Sequence, residues 1–250
     1  MSGIMAITGH AEMGPTRAGF AVCDILSGMT AAFALSSALY QRTHTGRGQL
    51  IDVSMLEATL AFLSGPVADF TVVGHRQEQS GNQAVSRRPT ANLFRTGEGY
   101  LLLAVNSEKQ FIALLTALGR ADALADPRFA DWFLRQQNEP ALREIIESAL
   151  AADDAKNWET KLNAAGAPCG SIWKVEEIIA HRQIIAREVL QTVPTPFGDL
   201  RFMGSGFKLA HGGGRLDSVA PALGLDTEVA LREAGFGEDE IAKFRNEKLI

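Results

Sequence analysis

The sequence predicts an α/β fold, and three observations carry that reading. Short apolar runs with strand character alternate along the chain with longer helix-forming stretches. Glycines and capping residues punctuate these stretches where helices should end or begin. The 250 residues, 46% hydrophobic and 21% charged, are enough for one large domain or two small ones with a real core.

Taken in order, residues 24–40 are rich in Ala, Leu and Met and suit a helix, which "THTGRG" at 43–48 ends with two glycines. "QLIDVSM" at 49–55 alternates Leu50, Asp52 and Ser54 against Ile51, Val53 and Met55, the period of a short strand. Ser54 and Glu57 have capping-box spacing, so a second helix should run over 55–63. Residues 75–95 are polar and rich in Gln, Ser and Arg, which reads as a loop or linker. "GYLLLAV" at 99–105 is a strand, and 107–118 a helix stopped by Gly119. Helical stretches follow at 126–134, 140–151 and 155–165, with Gly166 ending the last, and "PCGSIW" reads as a strand. "VPTPFGDLRF", within 192–208, reads as two extended pieces around a turn, and helices at 226–234 and 238–248 close the chain. There is no internal repeat and no low-complexity tract.

Composition narrows the function classes. A net charge of −5 argues against non-specific nucleic-acid binding, which needs a basic face. The longest apolar run, 29–39, is shorter than a membrane span and is interrupted by Ser36 and Ser37. The opening "MSGIMAITGH" has no basic n-region or cleavage site, and its small apolar residues read like the middle of a domain. Two cysteines, Cys23 and Cys169, make neither a disulfide framework nor a metal-ligand spacing, which suits a reducing cytoplasm.

The residue that asks for an explanation is Asp24, a carboxylate inside the apolar run "AVCDILSGM". A buried, unpaired carboxylate is costly, so it needs a cap, a partner or a job. As an N-cap its side chain would accept free backbone N–H groups of the helix. The same helix end would keep it ionised, and an ionised carboxylate is a nucleophile toward an activated acyl group. Gly19 and Gly28 leave room for a bulky ligand. Other candidates read more simply as structure. The five histidines, His10, His44, His75, His181 and His211, share no metal spacing; His44 and His75 read as solvent-facing, and His10 could lie near Asp24. Cys169 has no adjacent base to activate it. "HGGGR" at 211–215 lacks the context of a phosphate loop, and Arg87 and Arg88 read as a solvated pair able to meet a phosphate or carboxylate.

The stretch "GFAVCDILSGMTAAFALSSALYQRTHTGRGQLIDVSMLEA" at 19–58 resembles the signature region of the class III CoA-transferases, the family of formyl-CoA transferase, carnitine CoA-transferase and α-methylacyl-CoA racemase. The similarity continues through "GN" at 81–82, "DPRF" at 126–129, the Trp158–Cys169 pattern W-x-x-x-L-x-x-A-G-A-P-C, and "AP-x-L-G-x-D-T" at 220–227. It implies that Asp24 is the catalytic carboxylate, passing through aspartyl anhydride and aspartyl-CoA thioester intermediates. Glycine-loop N–H groups would stabilise the oxyanions. Coenzyme A thioesters would be substrates, with no permanently bound cofactor and no metal. The implied architecture is part of a Rossmann-like large domain plus a small α+β domain, in an interlocked homodimer. Residues 1–91 would be the C-terminal part of the large domain with a linker, 92–185 the small domain, and 186–250 a linker and return to the large domain.

Two departures qualify the resemblance. The N-terminal Rossmann-like portion that binds most of the CoA in the family is missing, which would leave sheet edges exposed. In place of the glycine run that follows "GN" in formyl-CoA transferases stands "QAVSRRPT", which argues against formyl-CoA/oxalate specificity. Acyl-CoA racemase or epimerase chemistry and a non-catalytic remnant remain alternatives to the transferase. No membrane or nucleic-acid partner and a cytoplasmic location are expected.

Overall fold

The computed structural model describes residues 1–195 and 197–250. The chain divides into two units, Met1–Ile172 and Trp173–Ile250.

The first unit opens with a single turn, α1 (Ile4–Ile7), and the long helix α2 (Val22–Thr45). α2 passes the predicted end at residue 40 and closes where the Gly46 N–H donates to the Arg42 carbonyl at 2.8 Å. None of its residues is buried, and Met29, Phe33 and Tyr40 are each more than 60% exposed. The expectation that no segment reaches membrane-span length needs correcting. Met29–Leu39 is short as an unbroken apolar run, yet the 24-residue helix is long and apolar enough to cross a bilayer, with mean hydropathy 1.5. Core helices of water-soluble proteins meet the same measure.

The predicted strand at 49–55 does not form; residues 47–54 are irregular and find no ladder partner among the described residues. Alternation marks a strand only where a neighbouring strand completes its hydrogen bonds. Helix α3 (Met55–Phe62) starts as predicted, with the Ser54 hydroxyl accepting from the Glu57 N–H. Helix α4 (Ser64–Val73), not anticipated, follows at an angle of 73°. Its Pro66 stands in the first turn, where no N–H is needed.

The polar linker ends earlier than expected, because β1 (Leu93–Arg95) pairs with β2 (Tyr100–Leu103). The opposite edge of β2 pairs with β3 (Cys169–Ser171), so the three-stranded sheet is antiparallel with β2 central. Leu101 and Leu103 point into the core while Tyr100 and Leu102 face out, the period-2 alternation of a half-covered sheet. Helix α5 (Glu108–Ala117) begins in a capping box formed by Ser107 and Gln110. Two aspartate caps divide the predicted helix at 126–134: Asp126 opens a 3₁₀ turn over Pro127–Phe129, and Asp131 accepts from the Leu134 N–H to start α6 (Trp132–Gln137). Helices α7 (Glu139–Leu150) and α8 (Ala155–Ala165) complete the layer. Phe111, Leu114, Leu142, Ile146, Leu150 and Leu162 pack with Phe94, Leu101 and Leu103 into one core. Arg135 sits 2% exposed at its margin, stacked 3.7 Å from the Phe111 ring centre and held by Glu108 through two 2.7 Å hydrogen bonds.

The second unit holds the short helices α9 (Val175–Ile178) and α10 (Arg182–Ala186), and an antiparallel hairpin of β4 (Leu190–Thr195) and β5 (Gly198–Met203). This hairpin realises the two predicted extended pieces; Pro196, in the predicted turn, lies outside the described residues. Helices α11 (Thr227–Glu233) and α12 (Glu238–Asn246) follow. Both sheets are antiparallel, so the architecture is mixed α/β with small sheets.

Candidate functional site

Asp24 stands at the third position of α2, not at its cap: the N-cap is Ala21, and no side chain closes that end. Asp24 is thus within the first turn, where the free N–H groups and the helix dipole favour a negative charge. The expectation of an aspartate cap is corrected: Asp24 stands three positions inside the helix, past the Ala21 cap. Among the described residues the carboxylate has no salt-bridge partner.

It opens onto a cavity of about 500 Å³ formed between the N-terminal segment and residues 15–24. Met5 and Phe20 give the wall apolar surface, and Arg17 and Cys23 line it with Asp24. The Thr16 N–H donates to the Met5 carbonyl at 3.2 Å and ties the two walls together. Behind them, the Gln79 amide donates to the carbonyls of Thr8 and Gly14 at 2.6 and 2.7 Å, and the Gly81 N–H donates to the Gly9 carbonyl at 2.9 Å. Gly81 is at φ +58°, and a Cβ there would lie 2.5 Å from the His10 ring. The loop carrying "GN" thereby braces the loop that leads to Asp24.

The other candidates lie elsewhere. His10 does not join Asp24; it lines a separate cleft of about 480 Å³ with Arg95, Tyr100 and Arg143. Arg143 is occupied there, bonded to the Leu93 carbonyl and to Glu147. The Cys169 thiol is pushed up to about 11, by burial and then by the Glu159 carboxylate, which suits a structural residue. Gly213 and Gly214 of "HGGGR" line a pocket of about 210 Å³ with Lys208 in the second unit. Arg88 is not fully solvated, because its guanidinium stacks 4.4 Å from the Trp132 ring centre. Among the described residues no group of three His, Cys, Asp or Glu side chains could hold a metal ion.

The sequence reading missed Arg17. It stands seven residues before Asp24 in "RAGFAVCD".

A sequence model described as CoA-transferase family III matches residues 1–227. The chain is 29% identical over its whole length to succinyl-CoA–D-citramalate CoA-transferase of Chloroflexus aurantiacus, covering 63% of that protein. It is 33% identical over 76% of its length to acetyl-CoA:oxalate CoA-transferase of Acetobacter aceti, covering 49% of that protein. A solved CAIB/BAIF family protein from Brucella suis superposes on 93% of the chain with a TM-score of 0.81 at 26% identity, and 60% of that chain is covered. The chain therefore spans about half to two thirds of the length of these relatives.

Proposed function

The chain belongs to CoA-transferase family III, and from that premise we propose that it moves coenzyme A between carboxylic acids with Asp24 as the nucleophile. The observation that carries this reading is an unpaired carboxylate in the first turn of a long helix, lining a cavity with apolar walls. Such a group is accessible and held in no ion pair among the described residues.

The steps balance without a redox partner or metal. An oxygen of Asp24 attacks the donor thioester carbonyl; a C–O bond forms, the C–S bond breaks, and CoA thiolate leaves. The thiolate then attacks the Asp24 carbonyl of the mixed anhydride, releasing the donor acid and leaving Asp24 as a CoA thioester. The acceptor carboxylate attacks that thioester and forms a second anhydride, again expelling CoA thiolate. Attack of the thiolate on the acceptor acyl carbonyl yields the new acyl-CoA and restores the aspartate. Backbone N–H groups at the start of α2 are suited to steady the developing oxyanions. CoA enters and leaves as a substrate, so no resident cofactor is required.

The names of the relatives suggest succinyl-CoA as a donor and short dicarboxylic acids as acceptors. On this reading residues 1–91 and 186–250 belong to a Rossmann-like large domain and 92–185 to a small domain. The interlocked homodimer and a cytoplasmic setting go with it, and the exposed flank of α2 lies on protein and not lipid.

The test is intact-mass analysis after incubation with succinyl-CoA, with hydroxylamine trapping and peptide mapping. A CoA adduct or hydroxamate at Asp24, absent in Asp24→Asn, supports covalent transfer. Folded protein that turns over acyl-CoA without any bond to Asp24 would refute it, since a racemase never bonds to its substrate.

A further inference from the structure

The walls of the Asp24 cavity are not fixed by a core. No residue from 1 to 24 is buried, so close apolar packing does not set their spacing. Three hydrogen bonds reach this segment from residues 79–81. The Gln79 side-chain amide donates to the Thr8 carbonyl at 2.6 Å and to the Gly14 carbonyl at 2.7 Å, across sequence separations of 71 and 65 residues. The Gly81 N–H donates to the Gly9 carbonyl between them. Both Gln79 partners are carbonyls, so the end that meets them is the NH₂, and both of its protons are engaged. Each anchor passes the constraint to the cavity. Thr8 follows α1, and its hydroxyl donates to the carbonyl of Ile4, a lining residue, at 2.6 Å. Gly14 accepts from the Thr16 hydroxyl at 3.0 Å and precedes Pro15, which also lines the cavity. The fit is close, since a Cβ on Gly9 would collide with the Thr16 side chain.

We propose that Gln79 is a positioning residue for acyl transfer: its amide clasps the two ends of the loop at 8–14 and so sets the spacing of the cavity walls around Asp24. The inference rests on the transferase reading above and deepens it. Two carbonyls that share one amide nitrogen are held within roughly 5 Å of each other. Their like dipoles have no reason to converge without the donor, and removing it leaves both without that partner. The Thr16 N–H, donated to the Met5 carbonyl, then has to hold the walls alone. A misplacement of about 1 Å between a nucleophile and its target can cost on the order of a hundredfold in rate. A side chain that never touches the acyl group can govern the reaction in this way.

The experiment pairs amide hydrogen exchange by NMR with the rate of Asp24 adduct formation from succinyl-CoA, in the parent, Gln79→Leu, Gln79→Glu and Gln79→Arg. Leu removes both donors, Glu keeps the shape but presents only acceptors, and Arg returns donors. In Gln79→Leu and Gln79→Glu the Thr16 and Gly81 amides, received by the Met5 and Gly9 carbonyls, should exchange at least tenfold faster. The adduct rate should fall at least tenfold in parallel. Core amides such as Leu103 and Leu118 should keep their rates, which shows that the variants hold the parental fold. Gln79→Arg should recover part of both losses. Unchanged exchange at Thr16 overturns the proposal. So does faster exchange there with an unaltered adduct rate, because the clasp then serves the loop alone. Acceleration spread equally over the core amides also overturns it, since Gln79 then acts through global stability. A parent that forms no adduct refutes transfer through Asp24, and the carboxyl carbon signal of Asp24 then decides the clasp separately. A signal that moves in Gln79→Leu and returns in Gln79→Arg sustains the positioning of Asp24; one that stays in place overturns it.

Discussion

Replacing Glu108 by Ala removes the only carboxylate that, among the described residues, holds the buried Arg135. The guanidinium is 2% exposed, donates two 2.7 Å hydrogen bonds to the Glu108 carboxylate, and donates from Nε to the Phe129 carbonyl at 2.7 Å. Stripping one partner from a fully buried pair costs about 3–5 kcal/mol. Here Glu108 is itself 55% exposed, so water can enter its place and resolvate part of the cation. The expected loss is about 2 kcal/mol. Urea unfolding followed by tryptophan fluorescence suits this measurement, because Trp132 and Trp158 lie in or against the core. The same pair sets an acid limb. Hydrogen bonds from Arg135 hold the Glu108 carboxyl below its ordinary value of 4.5. A lowered folded-state pKa gives stability that is present above the ordinary value and is lost as pH falls through the folded one. Glu108→Ala should therefore flatten part of the decline in stability below about pH 4.5. An unfolding midpoint matching the parent's, or an unaltered acid limb, would refute the account of Arg135 as a charge kept in place by its partner.

Three further outcomes are expected. Gly97→Ala would set its Cβ 2.7 Å from the Ala151 carbonyl oxygen and 2.9 Å from that of Asp153, and should cost about 1–3 kcal/mol of stability in the same unfolding assay. The Asp153 carboxyl, lowered to about 2 by Lys161, Asn157 and the Asp154 N–H, should titrate near that value by NMR, and Lys161→Ala should raise its midpoint. Iodoacetamide at pH 8 should modify Cys169 slowly, since a thiol held near 11 is ionised only to about one part in a thousand there; rapid modification would show that burial does not govern it.

Much of the first unit, Met1–Ile172, could be read from the sequence because its signals are local. Ser54, Ser107 and Asp154 start helices α3, α5 and α8 through their own side chains. The strand at 100–103 is legible because its alternation is strict and its neighbours are present. β1 was lost in a polar linker because Leu93 and Phe94 are too short a run to stand out; only pairing with β2 defines them. "QLIDVSM" failed the other way, having the pattern without the partner. At the site, Asp24 stands out in the sequence as a charge in an apolar run, although its place in the first turn does not.

Helix α2 carries the proposed nucleophile and buries none of its residues, whereas residues 94–167 bury a full core and carry none of the proposed chemistry. A thermal melt of this chain would therefore report on the wrong region. Variants that weaken the core would lower the midpoint while Asp24 kept its surroundings. Variants that loosened the start of α2 would leave the midpoint where it was and still remove the nucleophile from its place. Engineering guided by melting temperature alone would be selecting on a region apart from the proposed nucleophile; amide exchange at the first turn of α2 is the stability measure that reports on Asp24.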